Sequence, residues 1–317
     1  MLSRTADHLY WMSRYIERAE SLARLVDAHY RMSLLPHLPE ALESSLRSTM
    51  VALRVDRAYR EKREKREKII PRMVFDFLTI DRDYSGSILN CLRSARENAR
   101  AVRGSLTSEL WETLNATWLD ARSMTARRSA ATDTGQFVEW VKERSHLTRG
   151  VTIGTMMRDE AFHFTRIGAF LERGDNTARL LTAHQEDLMP GADAGAVPDP
   201  FEWSVLLRSL SAFEVYRKVY RSVITPVKVA EMLILRDDMP RSLLRCSKEV
   251  YSNLKSVAND QSTETERRAG EIHARLHFGR MEDLTGNGLP AFLEDFLDRL
   301  ADLGNRIASD FLVPAGA

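Results

Sequence analysis

Cysteine is scarce in this sequence, and neither sign of charge is in excess. Two cysteines in 317 residues, Cys91 and Cys246, offer neither a disulfide framework nor a zinc site. We expect both to be small buried residues in a reducing compartment. Lysine and arginine (46) nearly balance aspartate and glutamate (45), so no overall field attracts nucleic acid or an anionic membrane. Neither is therefore expected as a partner.

Long apolar runs are also missing. No stretch approaches the roughly 18–20 apolar residues that a membrane span needs. Near the start, Asp7, Glu17 and Glu20 are unlike a transit peptide, which is poor in acids. We expect a cytoplasmic protein that does not enter a membrane.

Motifs of familiar active sites are absent as well. The sequence has no glycine-rich phosphate loop, nucleophile elbow or cysteine–histidine pair of recognisable spacing. Its eight histidines lack metal-ligand spacing. His29 and His184 are expected to complement the dipoles at the ends of their helices. We expect no metal and no cofactor, and an enzyme with a familiar active site is disfavoured.

One segment of the chain occurs twice. Residues Tyr15–His29 return as Phe170–His184, a shift of 155 residues (170 − 15), with seven of fifteen positions identical. The same shift relates residues 87–91 to 242–246, and residues 137–139 to 292–294. We predict two copies of one unit, at about 1–155 and about 156–317, related by a pseudo-twofold axis.

The periodicity of the sequence is helical throughout. Over the first thirty residues, apolar side chains recur at steps of three and four, as they do on one face of a helix. Residues 40–68 read as a polar helix that ends in a solvated run of mixed charge, and about 188–200 is a linker rich in proline and glycine. The predicted fold is an all-α helical bundle of about ten helices in two similar halves.

The repeated segment contains the first group of candidate functional residues. In a helix, Glu17, Glu20 and Arg24 share a face, and the second copy places Glu172, Asp175 and Arg179 in the same way. Arg18 and Arg173 instead lie among apolar neighbours, where an unpaired charge is costly. We expect each arginine to pair with a carboxylate of the other repeat.

Two interpretations of this group remain open. In the structural one, the two helices exchange Arg–Glu pairs that fix the register between the halves. In the functional one, Glu17, Glu20, Glu172 and Asp175 converge on a polar ligand or a metal. Bundles that bind two metals use Glu-x-x-His spacing, whereas this group has Glu-x-x-Glu and Glu-x-x-Asp, and the adjacent arginines disfavour a cation. The structural interpretation is favoured.

A second group of candidates is a one-sided basic stripe in the first half. Arg93, Arg96, Arg100 and Arg103 fall at steps of three and four, and Glu109, Trp111 and Asn115 follow. Such a stripe could hold a phosphate or carboxylate through bidentate contacts. It could equally pair with Glu109, Glu112 and the acids of the first helix.

The segments that begin at Met1, Ser87, Ser108 and Phe164 resemble the bacterial alpha-E family, a helical domain of unknown function. The residues that carry the resemblance are Met1–Glu20, Ser87–Val102, Ser108–Asn115 and Phe164–Arg179. The family often has glycine where Ser13 stands and arginine where Ala169 stands. Here each feature survives in one copy only, as Gly168 and Arg14. A role that needs both copies is therefore in doubt.

The resemblance implies partners more than a reaction. Alpha-E genes typically lie beside circularly permuted ATP-grasp ligases and transglutaminase-like proteins, a setting of peptide synthesis or modification. The leading hypothesis is a non-catalytic helical partner that docks the ligase or its peptide substrate. The alternatives are an enzyme whose carboxylate–arginine cavity acts on amides or peptides, and a structural scaffold.

Overall fold

The computed structural model describes residues 1–35, 39–62, 69–126, 134–184, 200–284 and 288–312. These residues form fifteen α-helices and one short 3-10 helix, with no strand among them, which confirms the all-α prediction. In chain order the helices are α1 (Ser3–Ser33), α2 (Pro39–Ala52), α3 (Asp56–Glu61), α4 (Pro71–Thr79), α5 (Ile88–Ala101), α6 (Ser108–Ala126), α7 (Thr134–Thr155), α8 (Glu160–Thr182), α9 (Pro200–Ser209), α10 (Phe213–Tyr220), α11 (Pro226–Leu235), α12 (Leu243–Ser256), α13 (Thr263–His277), α14 (Met281–Leu284) and α15 (Leu289–Phe311). Of the linker predicted at about 188–200, all but its last residue lies outside the described residues.

Helices begin at equivalent points in the two halves. The Ser87 hydroxyl accepts a hydrogen bond from the Asn90 amide at the start of α5, and the Ser242 hydroxyl does the same for the Arg245 amide at α12. Prolines open α4 and α11, where the missing N–H costs no helical hydrogen bond. These starts lie 155 residues apart, the shift that the sequence predicts.

Two long helices lie at the centre of the molecule. Helices α1 and α8 pack along each other; α1 also packs on α5 and α7, and α8 packs on α12 and α15. At one crossing point, the backbone of Gly168 lies so close to the Tyr10 carbonyl and the Ser13 hydroxyl that no side chain would fit. This approach brings the two Glu-Arg segments together in the core.

The polar helix predicted over residues 40–68 is not continuous, so this prediction was wrong. The helix is broken at Leu53–Val55 between α2 and α3, and Arg54 takes a left-handed conformation with φ 58°. No glycine or proline marks the break in the sequence. Residues 63–68 of the charged run lie outside the described residues.

Among the described helices, none is both long and apolar enough to cross a membrane.

Candidate functional site

The two Glu-Arg motifs pair reciprocally between α1 and α8. Arg18 donates from Nε to Oε1 of Glu172 at 2.6 Å. Arg173 donates to both carboxylate oxygens of Glu17, from Nε at 2.9 Å and from Nη2 at 2.6 Å. The expected pairing of each arginine with the other half is confirmed.

A second arginine contacts each of the two glutamates, but the two arginines do not occupy equivalent positions of the repeats. Arg14, one turn before Arg18, donates from Nε to Glu172 at 2.7 Å. The position equivalent to Arg14 in α8 is Ala169 (14 + 155). Glu17 instead receives Arg241, which precedes α12 and donates from Nη1 at 2.8 Å.

Glu20 is the most heavily paired carboxylate of this group. Its side chain is fully buried and accepts from Arg24 at 2.8 Å, from Arg241 at 2.7 Å and from Arg149 of α7. His146, also on α7, lies 3.7 Å from the same carboxylate. Three guanidinium groups and one imidazole therefore surround a single anion.

Asp175, the counterpart of Glu20, has a much simpler environment. Arg179 donates to it from Nε at 2.7 Å and from Nη2 at 3.0 Å, and the Asp175 side chain stays 27% exposed. The four carboxylates are thus held in two groups: Glu17 with Glu20, and Glu172 with Asp175.

These contacts keep the buried carboxylates ionised. Burial alone would raise the pKa of Glu172, but Arg14 and Arg18 outweigh it, and the net pKa lies below the ordinary value. The pKa of Glu17 is lowered in the same way by Arg173 and Arg241. For Glu20 the pKa is held well below 4.5, chiefly by Arg241 against the effect of burial. At neutral pH none of the three can donate a proton.

Arg18 and Arg173 also lie near aromatic rings. The Arg173 guanidinium lies 4.6 Å from the centre of the Phe170 ring, and that of Arg18 lies 5.7 Å from Tyr15. Their burial differs, since the Arg173 side chain is 7% exposed and the Arg18 side chain 33%. Arg18 is therefore the member of the pair that solvent or a ligand can reach.

A cleft of about 630 Å³ lies beside the Glu172 group. Helices α1, α8 and α15 and the break between α2 and α3 form its walls. Of the residues predicted from sequence, the cleft is lined by Arg18, Glu172, Asp175 and Arg179. The cavity beside Glu17 is much smaller, about 60 Å³. The cleft is where the candidate residues meet open space.

The predicted basic stripe lies elsewhere and is largely occupied. Arg96 contacts Glu97 and donates to Asn115 at 3.1 Å, and its guanidinium lies 5.5 Å from the Trp111 ring centre. Arg100 pairs with Glu97 at 3.2 Å, and Arg103 also lies near the Trp111 ring. Arg93 and Glu109 are exposed. Arg96 and Arg100 thus pair with an acid of their own helix, and within the described ranges the stripe forms no ion pair with Glu109, Glu112 or the acids of α1.

Neither cysteine is suited to nucleophilic chemistry. Cys91 and Cys246 are buried, as predicted, and burial raises the pKa of each thiol to about 12. His29 is buried as well, which lowers its pKa to about 4, so its predicted role as a charge at the helix end was wrong. Across the described ranges, no group of three or more His, Cys, Asp or Glu side chains is placed to hold a metal ion.

The site also contains residues that were not among the predicted candidates. Arg149, His146 and Arg241 come from α7 and from the loop before α12, far from the repeated segment in sequence. The signal in the sequence that could have identified these residues is a difference between the two halves. At the shift of 155, small residues replace all three: Gly304, Ala301 and Gly86.

A family model described as "a predicted alpha-helical domain with a conserved ER motif" matches residues 1–312. The chain belongs to the Alpha-E family. The ER dipeptides of this Alpha-E chain are Glu17-Arg18 and Glu172-Arg173, which form the reciprocal pairs between α1 and α8. The motif is therefore the contact that joins the two central helices.

Relatives of this Alpha-E chain include uncharacterized proteins of Mycobacterium bovis and Mycobacterium tuberculosis. Each is 25% identical over 321 residues, which cover 93% of this chain and 35% of the relative. The chain thus spans about a third of the length of the curated relatives it matches. No solved structure matches it.

Proposed function

We propose that this Alpha-E chain is a non-catalytic helical partner of an ATP-grasp type amide ligase, which docks the ligase or its peptide substrate in peptide synthesis or modification. The observation that carries the proposal is the 630 Å³ cleft, whose volume lies within the range of about 300–1,000 Å³ usual for ligand sites. A transglutaminase-like protein would be a further partner of the same system.

The state of the charged groups in the cleft favours binding over catalysis. A general acid or base works best with a pKa near the working pH. Glu172 has a lowered pKa and is already engaged by two arginines. The groups that line the cleft are therefore suited to hold a ligand in place, and this disfavours the enzyme alternative.

The length of the relatives supports a role beside other domains. In the mycobacterial relatives, the matching sequence is 35% of the chain, so the greater part of each protein lies outside the match. In such a protein the Alpha-E unit is covalently joined to the rest of the chain, which therefore always lies near it. This arrangement fits a domain that acts on what its neighbours bind or make.

Co-purification and ATP turnover test the proposal together. The full chain is co-expressed with an ATP-grasp ligase, and ATP hydrolysis by the ligase is measured with peptide, with and without the Alpha-E chain. We expect the two proteins to co-purify and the chain to increase turnover with peptide. A ligase that neither binds the chain nor responds to it would contradict the proposal.

Gly304→Arg and Gly150→Arg are the matched variants for this experiment. Gly304 lines the cleft, whereas Gly150 is an exposed glycine of α7 with no neighbouring atom within 4 Å of an added Cβ. Both substitutions put the same side chain on a helix. We expect only Gly304→Arg to reduce the effect of the chain on ATP turnover.

A further inference from the structure

The cleft exists because the two halves of the chain have different residues around equivalent carboxylates. Around Glu20, the side chains of Arg149, His146 and Arg241 fill the space. The equivalent positions around Asp175 are occupied by the smallest residues. They are Gly304 in place of Arg149, Ala301 in place of His146, and Gly86 in place of Arg241, and all three line the cleft. Side chains thus fill the volume around Glu20 that stays open around Asp175.

The charged side chains that line the cleft favour an anionic ligand. Four arginines line the cleft, against the two carboxylates Glu172 and Asp175. Arg14, Arg18 and Arg179 are engaged by those carboxylates. The fourth, Arg54, is exposed at the helix break and makes no ion pair with the described part of the chain. An anionic group in the cleft would neutralise this excess.

Two polar side chains in the cleft wall have no partner. The Ser21 hydroxyl and the Asn176 Nδ2 are both buried atoms without a hydrogen-bond partner among the described residues, and Ser21 is only 3% exposed. An unsatisfied buried polar group costs about 1–3 kcal/mol. Ser21 and Asn176 are themselves equivalent positions of the two repeats (21 + 155). Both residues line the cleft, and a shift of their side chains towards it would bring these groups to a ligand with hydrogen-bonding groups, such as backbone amides.

Much of the remaining lining of the cleft is apolar. Trp11, Leu22 and Tyr84 lie on one side, and Leu171 and Leu300 come from α8 and α15. A free inorganic anion would leave these surfaces uncovered. The complementary ligand carries an anion, hydrogen-bonding groups and an apolar body.

We propose that the cleft binds the carboxyl terminus of a peptide, with the carboxylate on the side of Arg54 and the exposed Arg18, and apolar side chains against Trp11 and Leu300. The choice of a peptide over another carboxylate rests on the proposed function. An ATP-grasp ligase activates a carboxylate before it forms an amide, so a site for a peptide carboxyl terminus would present the group that reacts. The Alpha-E chain itself makes and breaks no bond.

Peptide binding to the full chain alone tests this inference. Calorimetric titration compares N-acetylated Ala-Ala-Leu and Ala-Ala-Phe, each as the free acid and as the carboxy-terminal amide. We expect the acids to bind and the amides to bind at least about tenfold more weakly, a difference of about 1.4 kcal/mol. Equal binding of acid and amide, or no binding of the acids at millimolar concentration, would overturn the inference.

Peptide binding to substituted chains tests whether the peptide binds in this cleft. We expect Gly304→Arg to abolish binding of the acid peptides, Arg54→Gln to weaken it about tenfold, and Gly150→Arg to leave it unchanged. Circular dichroism verifies that each variant is folded, and Ala301→Arg, on the exposed side of α15, replaces Gly304→Arg if that variant does not fold. Binding that survives both substitutions at Gly304 and Ala301 would place the peptide elsewhere and refute the assignment.

Competition with inorganic phosphate tests whether the cleft recognises a peptide carboxylate or a free anion. We expect phosphate to compete weakly with the acid peptides, because it lacks the apolar body. If phosphate displaces the peptides at equal concentration, the site is one for a free anion and the inference is wrong. The assay contains no ligase, so a chain that binds acid peptides but no ligase would refute only the proposed function.

Discussion

Arg18 and Arg173 occupy equivalent positions, yet their surroundings differ in exposure. Arg173 lies between Phe170 and Glu17 with 7% of its side chain exposed, whereas Arg18 borders the cleft with 33% exposed. An ion pair with a solvated member contributes less to stability than one whose two members are both buried. The same substitution should therefore have different consequences in the two repeats.

Arg173→Met and Arg18→Met measure that difference. We expect Arg173→Met to lower the free energy of unfolding by about 3–5 kcal/mol, the usual loss when a buried pair is broken. Arg18→Met should cost about half as much, because the ion pair of Arg18 is partly solvated, while in both variants the glutamate keeps a second arginine. Denaturant unfolding gives both values, and equal losses would contradict the role assigned to burial.

His29 gives the molecule a pH dependence of its own. Its pKa is lowered from 6.5 to about 4 by burial, so the unfolded state takes up a proton first as the pH falls. Stability is then full above about pH 6.5 and is lost as the pH falls towards 4. Between about pH 7.5 and pH 5 we expect a loss of about 2 kcal/mol that is absent in His29→Gln.

Urea titrations at those two pH values are the measurement for His29. The buried glutamates do not interfere, since their pKa values lie below 4.5 and their contribution is lost only at lower pH. A variant as pH-sensitive as the parent chain over this range would show that another group is responsible.

At the scale of helices, Gly168 sets the distance between α1 and α8. A Cβ at this position would collide with the Tyr10 carbonyl, which belongs to the backbone and cannot turn aside. Because the Arg–Glu pairs span the same interface, a wider separation would also lengthen those contacts. The glycine and the ER motif are therefore parts of one interface.

Gly168→Ala tests the close approach of the helices. We expect it to destabilise the chain by about 1–3 kcal/mol, as overpacking does, although alanine is the better helix former. Gly150→Ala, on the exposed face of α7, should instead stabilise by up to about 1 kcal/mol. Thermal unfolding shows whether each variant is more or less stable than the parent chain. A stabilising Gly168→Ala would show that the helices can separate without cost.

The sequence was informative where local pattern determines structure. The apolar neighbours of Arg18 and Arg173 were sufficient to predict their pairing with the opposite repeat. The break at Leu53–Val55 could not be predicted, because neither glycine nor proline marks it in the sequence. Arg149 and Arg241 were missed because they reach Glu20 from 129 and 221 residues away in the chain. The cleft depends on those same distant positions.

At the scale of the whole molecule, the ion pairs bind the first half of the chain to the second. Glu17 and Glu20 of the first half depend on Arg173 and Arg241 of the second, and Glu172 depends on Arg14 and Arg18 of the first. Neither half could bury its own carboxylates without the other. The halves should therefore be stable only together.

Cooperative unfolding is the corresponding prediction. We expect a single denaturant transition, with the same midpoint by tryptophan fluorescence and by circular dichroism. Four of the five tryptophans lie in the first half, so fluorescence reports mainly on that half, whereas circular dichroism reports on all helices. Separate midpoints would mean that the halves fold independently.

The pairing of Glu17 with Arg241 also constrains the order of events during synthesis. The ribosome releases the amino-terminal end first, and the partner of this carboxylate follows 224 residues later. Until then the acids of α1 lack one of the arginines that surround them in the folded chain. Helix α1 therefore acquires its last ion-pair partner only when the segment that precedes α12 has been synthesised.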